Sequence, residues 1–155
     1  MKLAEALLLR ADANKRIREL QGRLNRSARV QEGDTAPENP VELMDELART
    51  VAEMTALVKQ INRTNAQTPF GDGRTLTDAL ADRDALATEF GVLTGTINAA
   101  TGAGQQQYGY NASPIKYFRA INVADVQKRA DELARQRRDL DTQIQQLNWS
   151  VDLIE

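Results

Sequence analysis

The 155-residue chain has no histidine and no cysteine. Without cysteine there is no disulfide, and without either residue there is no zinc site built from thiolate or imidazole. Catalytic triads, cysteine nucleophiles and imidazole general bases are excluded for the same reason. Any covalent or acid–base chemistry would fall to Asp, Glu, Lys, Tyr, Ser or Thr. The sequence points to a non-enzyme with no cofactor, and the lack of cysteine fits the reducing cytoplasm. Long apolar runs are missing too. No stretch reaches the ~20 mostly apolar residues that a membrane span needs. Nor is there an excess of either charge: 20 Lys and Arg stand against 22 Asp and Glu. That balance offers no global attraction to nucleic acid or anionic lipid.

What the chain does have is rhythm. Between residues 44 and 61, Met44, Leu47, Val51, Met54, Val58 and Ile61 alternate steps of three and four. Such a row lies on one helix face and closes against another helix, as in a coiled coil. The same rhythm runs through Leu3, Ala6, Arg10, Ala13, Ile17, Leu20 and Leu24. It returns in Leu76, Ala79, Arg83, Leu86, Phe90, Leu93, Ile97 and Ala100, and again in Val126, Ala130, Leu133, Arg137, Leu140, Ile144, Leu147, Val151 and Ile154. The expected fold is all-α: four long antiparallel helices at about 2–27, 40–65, 76–101 and 123–153, forming one up-down bundle domain over 1–155.

Punctuation sets the boundaries. Lys2 before an apolar run and Ala11-Asp12-Ala13 superficially resemble a secretion signal, but Glu5 and Arg10 interrupt the run, so a helix start is the better reading. Asn39, Pro40 and Glu42 read as cap, first helical position and reciprocal partner of the second helix. Thr75 with Asp78 opens the third helix, and Asn122 with Asp125 opens the fourth. Arg29-Val30-Gln31 and the β-forming stretch 115–121 are expected to pair as a small β-ribbon sealing one pole. The residues 105–110, which include Tyr108 and Tyr110, read as an exposed loop tip. The other pole is expected to gather the N-terminus, the turn at 62–78 and the C-terminus near Trp149.

Charge is uneven along the chain. Residues 1–33 hold eight bases and four acids, whereas residues 34–55 hold one base and six acids. Lys15, Arg16, Arg18, Arg23, Arg26 and Arg29 form a basic stripe interrupted by Asp12 and Glu19. That mixture reads as a solvated face, not as a nucleic-acid surface. Arg10, Arg83 and Arg137 fall on seam positions. Glu5, Asp84 and Asp141 are candidate partners, but a 3.6-residue helix also drifts off a 3.5-residue seam and lets a long Arg reach water. Residues 90–115 carry no charge, and Gly91 with Gly95 suggests close packing of the third helix on a neighbour.

The polar turn is the densest cluster of candidate functional groups: Asn62, Arg63, Asn65, Asp72, Arg74, Thr75, Asp78 and Asp82. Asp72, Asp78 and Asp82 could hold a divalent cation through oxygen alone. Arg63 and Arg74 could grip a small anion beside the start of the third helix. The structural alternative is that the acids answer the helix dipole while Asn and Arg tie the turn together. The spacing matches neither a calcium loop nor a phosphate loop. Trp149 and the tyrosines could stack on a ligand or plug a bundle end.

Arg29-Val30-Gln31-Glu32-Gly33, Ile61-Asn62-Arg63-Thr64-Asn65, Asp72-Gly73-Arg74-Thr75-Leu76-Thr77-Asp78-Ala79-Leu80 with Arg83-Asp84, and Asn148-Trp149 stand out as motifs. Together they resemble the septicolysin-like family of small bacterial helical proteins. The resemblance implies an all-helical bacterial protein and, through the family's name, a membrane-active cytolysin. It supplies no catalytic residue. Three functions follow as expectations: a self-associating bundle, a ligand or metal site at residues 62–82, and a cytolysin. The first draws on surplus apolar residues Leu7, Leu8, Leu9 and Leu57, which could cover a second interface.

Overall fold

Asn39 accepts the backbone N–H of Val41 at 3.0 Å and donates its amide to Glu42 at 3.1 Å, so the second helix starts where its sequence signal places it. The backbone N–H of Asp125 reaches Asn122 Oδ1 at 3.3 Å in the same way at the fourth. A computed structural model describes residues 1–102 and 116–154. In chain order its elements are α1 (Leu3–Ser27), α2 (Pro40–Gln67), β1 (Pro69–Gly71), β2 (Arg74–Thr75), α3 (Leu76–Thr101) and α4 (Val123–Ser150). The protein is all-α, with four helices and one small two-stranded antiparallel sheet among the described residues. The chain divides into two compact units, with the division falling inside α3 and inside α4.

The first unit holds Met1–Thr77 and Gln145–Glu155. Here α1 and α2 pack antiparallel, because Arg16 pairs with Glu46 while the later Arg23 pairs with the earlier Glu38. The basic N-terminal stretch and the acidic one after it therefore face each other across the helix pair. Arg23 grips Glu38 with two nitrogens, Nε lying 2.9 Å from Oε2. This hydrogen bond and the guanidinium charge hold the Glu38 carboxyl below the usual range. Leu3, Ala6, Leu20, Leu43, Ile61 and Leu76 are buried in this unit.

One end of the first unit gathers both termini and the end of α2, as the alternation of helices predicts. Leu3 N–H donates to Val151 O at 3.0 Å and Leu153 N–H to Met1 O at 2.9 Å. Lys2 Nζ reaches Asp152 at 2.9 Å and Ser150 O at 2.9 Å. Fully buried Thr64 sits at the centre. Its hydroxyl donates to Gln60 O at 2.8 Å and accepts Ile154 N–H at 2.9 Å. Thr68, also buried, donates its hydroxyl to Thr64 O at 2.7 Å. Trp149, read as able either to stack on a ligand or to plug the bundle end, is 57% exposed.

The small sheet is also here, which corrects the predicted position of the ribbon. Residues 29–31 and the described part of 115–121 carry no strand. Instead β1 and β2 form a hairpin whose two turn residues, Asp72 and Gly73, have φ of 52° and 73°. Left-handed backbone at both positions matches the right-handed strand twist, and Asp-Gly is the dipeptide that tolerates it. A register irregularity lies between Pro69 and Gly71, whose φ is 101°. The predicted loop tip at 105–110 lies outside the described residues.

The second unit holds Asp78–Ile144. Within it α3 and α4 run antiparallel, with Arg83 against Asp141 and the later Glu89 against the earlier Arg129. Ala79, Ala130, Leu133 and Ile144 are buried. The other seam residues of the unit are half-buried, apart from exposed Arg137. Arg83 is half-buried between Asp84 at 3.1 Å and Asp141 at 3.4 Å, so one seam arginine is paired and another simply reaches water. Gly91 and Gly95 do not mark close packing. A Cβ added at either would meet nothing within 4 Å.

Candidate functional site: an open apolar row on the second helix

α2 carries more apolar residues than one face can hold. Its buried face reads Leu43, Thr50, Ile61 and Thr64, with Leu57 half-buried on the same side. The predicted seam lies one residue further on. Of its members only Ile61 is buried; Leu47, Met54 and Val58 are half-buried, while Met44 is 51% and Val51 39% exposed. Two threonines explain the offset. Thr50 and Thr64 look polar in a list of residue types, but each hydroxyl bonds the carbonyl four residues back, at 2.9 and 2.8 Å. A threonine satisfied in this way can be buried at little cost.

Three heptad rows therefore lie side by side along α2, each about 100° round the helix from the last. Leu43, Thr50 and Leu57 form the packed row. Met44, Val51 and Val58 form an open apolar row. Asp45, Ala52 and Lys59 form an exposed row beyond it. Val41, 60% exposed, extends the apolar surface toward the helix start. Neither Asp45 nor Lys59 has an ion-pair partner among the described residues. On α1, Leu8 and Leu9 are also exposed, whereas Leu7 is half-buried like Leu57 on α2.

In the first unit, Asn62 and Arg63 are exposed, Asn65 and Thr75 are half-buried, and Asp72 and Arg74 project from the hairpin. Arg74 lies 3.9 Å from the Asp72 carboxylate and stacks over Phe70, 5.7 Å from the ring centroid. Asp78 and Asp82 belong to the second unit, on the exposed side of α3. Arg63, Arg74, Thr75, Asp78 and Asp82 all have partners within the protein. The expected cation site at Asp72, Asp78 and Asp82 gains no support. Among the described residues no group of three or more Asp or Glu is arranged to hold a metal ion. Nor, among them, is any helix long and apolar enough to cross a membrane.

The second unit has a crevice of about 310 Å³ between α3 and α4. Arg83, Arg137, Arg138, Asp84 and Asp141 line it with Phe90. Its acids already engage Arg83, so it is a mixed surface and not a focused anion site.

The family follows from the comparisons with known proteins. The chain belongs to a family described as "Family of unknown function (DUF6847)", whose model matches residues 10–153. It is similar to a functionally unknown conserved protein from Corynebacterium diphtheriae, known from a crystal structure. The two are 41% identical, the match covers 99% of each chain, and the TM-score is 0.89. No curated protein matches. These findings overturn the septicolysin-like resemblance. The motifs that suggested it, from Arg29-Val30-Gln31 to Asn148-Trp149, fall inside the span of the matching family, and with the resemblance goes the basis for a cytolysin.

Proposed function

We propose that this protein is a non-enzymatic helical module of the cytoplasm that works by self-association, with the open face of α2 as its contact surface. The observation that carries the reading is the row of exposed Met44, exposed Val51 and half-buried Val58 beside an already packed face. Exposed apolar side chains aligned along one helix face are a surface that another helix can cover. Leaving its exposed part in water forgoes a share of the burial that is worth about 1.5–3 kcal/mol when a large aliphatic side chain is taken fully out of water. The chemistry open to the chain also supports the reading. It has no imidazole or thiol, and five residues of the densest polar cluster, Arg63, Arg74, Thr75, Asp78 and Asp82, already have partners within the protein.

Light scattering on the purified chain and on Val51→Glu tests it. The unaltered chain should have a multiple of the 17.2 kDa chain mass. Val51→Glu should shift toward the single-chain mass with its helical circular dichroism unchanged. Equal masses for the two proteins would remove α2 from the contact, and a monomeric unaltered chain would remove self-association altogether.

A further inference from the structure

We infer that two copies of the chain pair through α2 in antiparallel orientation, about a two-fold axis passing beside Val51. The inference rests on the self-association proposed above and specifies its geometry.

A two-fold contact between identical chains is self-complementary: if one residue meets another, the second meets the first. The open row of α2 has that symmetry in its sequence. Met44 lies seven residues before Val51 and Val58 seven residues after it. In antiparallel pairing Val51 meets Val51 of the second copy, and Met44 meets Val58 at both ends. Every large apolar side chain of the row is then covered by another.

Charge selects the orientation. Asp45 follows Met44 and Lys59 follows Val58, so both lie on the same side of the row, one near each end. Both are exposed, and neither is paired among the described residues. A two-fold axis perpendicular to the helix pair brings like sides together with their directions reversed. Asp45 of each copy then faces Lys59 of the other. Parallel pairing about an axis along the helices would instead put the two charged flanks on opposite sides of the seam, lose both Asp45–Lys59 pairs, and align the two helix dipoles. Rim pairs of this kind add little affinity but discriminate between orientations. Ala52, between the two charges, is small enough to let the helices approach at the centre. The surface that the second copy covers is one row round from the row facing α1, so pairing leaves the packing of the first unit intact.

The chain has no cysteine, so single engineered thiols report contacts between copies without background. Val51→Cys should give a disulfide-linked dimer under mild oxidation, and Glu53→Cys, away from the row, should not. Met44→Cys mixed with Val58→Cys should cross-link as a heterodimer, while Met44→Cys alone stays unlinked. Asp45→Lys should weaken association by about tenfold, and adding Lys59→Asp should restore it. Homodimers of Met44→Cys would mean parallel pairing and overturn the inference. A dimeric unaltered chain with Val51→Cys unlinked would overturn it too, while leaving self-association standing. A monomeric unaltered chain would defeat both proposals.

Discussion

Thr64 shows how much one small residue can hold. It is fully buried, it donates to its own helix, and it accepts the backbone N–H of Ile154 from near the other end of the chain. Thr64→Val keeps the shape but strands that N–H, so unfolding free energy from urea titration should fall by about 1–3 kcal/mol. Two carboxylates contribute acid sensitivity to the same unit. Asp152 is held below the usual range by the hydrogen bond and charge of Lys2, and Glu38 by those of Arg23. A carboxyl whose pKa is lower folded than unfolded stabilises the fold above the unfolded value. That contribution is lost as pH drops through the folded value. Stability should therefore decline below about pH 4, and Asp152→Asn should flatten that decline in urea titrations run at successive pH values. Gly95 makes the opposite point. It sits inside α3 with open space where a Cβ would go. Gly95→Ala should raise the unfolding free energy by about 0.5–1 kcal/mol, because alanine loses less backbone freedom in a helix.

At the scale of the element, the helices were legible because their signals are local and agree with each other. Asn39 with Pro40 and Asn122 with Asp125 mark starts by hydrogen bonds that span only a few residues. The face of α2 was not legible in the same way. Counting apolar residues favours Met44 and Val51, yet the buried row includes Thr50 and Thr64, which become apolar in effect only once their hydroxyls have bonded the helix backbone. The sheet was missed for a different reason. Val30 and the stretch 115–121 have β-propensity, which is weak without a partner strand. The hairpin rests instead on turn chemistry: Asp72-Gly73 is a strong short-range signal, and it lay inside a segment read only as a polar turn. The uneven charge of the first 55 residues was visible too, but its meaning needs the antiparallel contact of Arg16 and Arg23 with Glu46 and Glu38.

For the whole molecule, the sequence shows helices without saying which faces are shared within a chain and which between chains. Both kinds of contact use the same apolar repeat, so the row Leu43–Thr50–Leu57 and the row Met44–Val51–Val58 differ only once α1 is in place. The candidate site was thus written in the sequence as the strongest seam, and the structure leaves Met44 and Val51 of that seam exposed. The family and the similar corynebacterial structure fix the fold and leave the role to be read from this surface. Sedimentation equilibrium of the unaltered chain, across a concentration series, tests that reading most directly. The account predicts a reversible dimer, with weight-average mass rising toward twice 17.2 kDa as concentration increases. A mass fixed at 17.2 kDa throughout the series would contradict it.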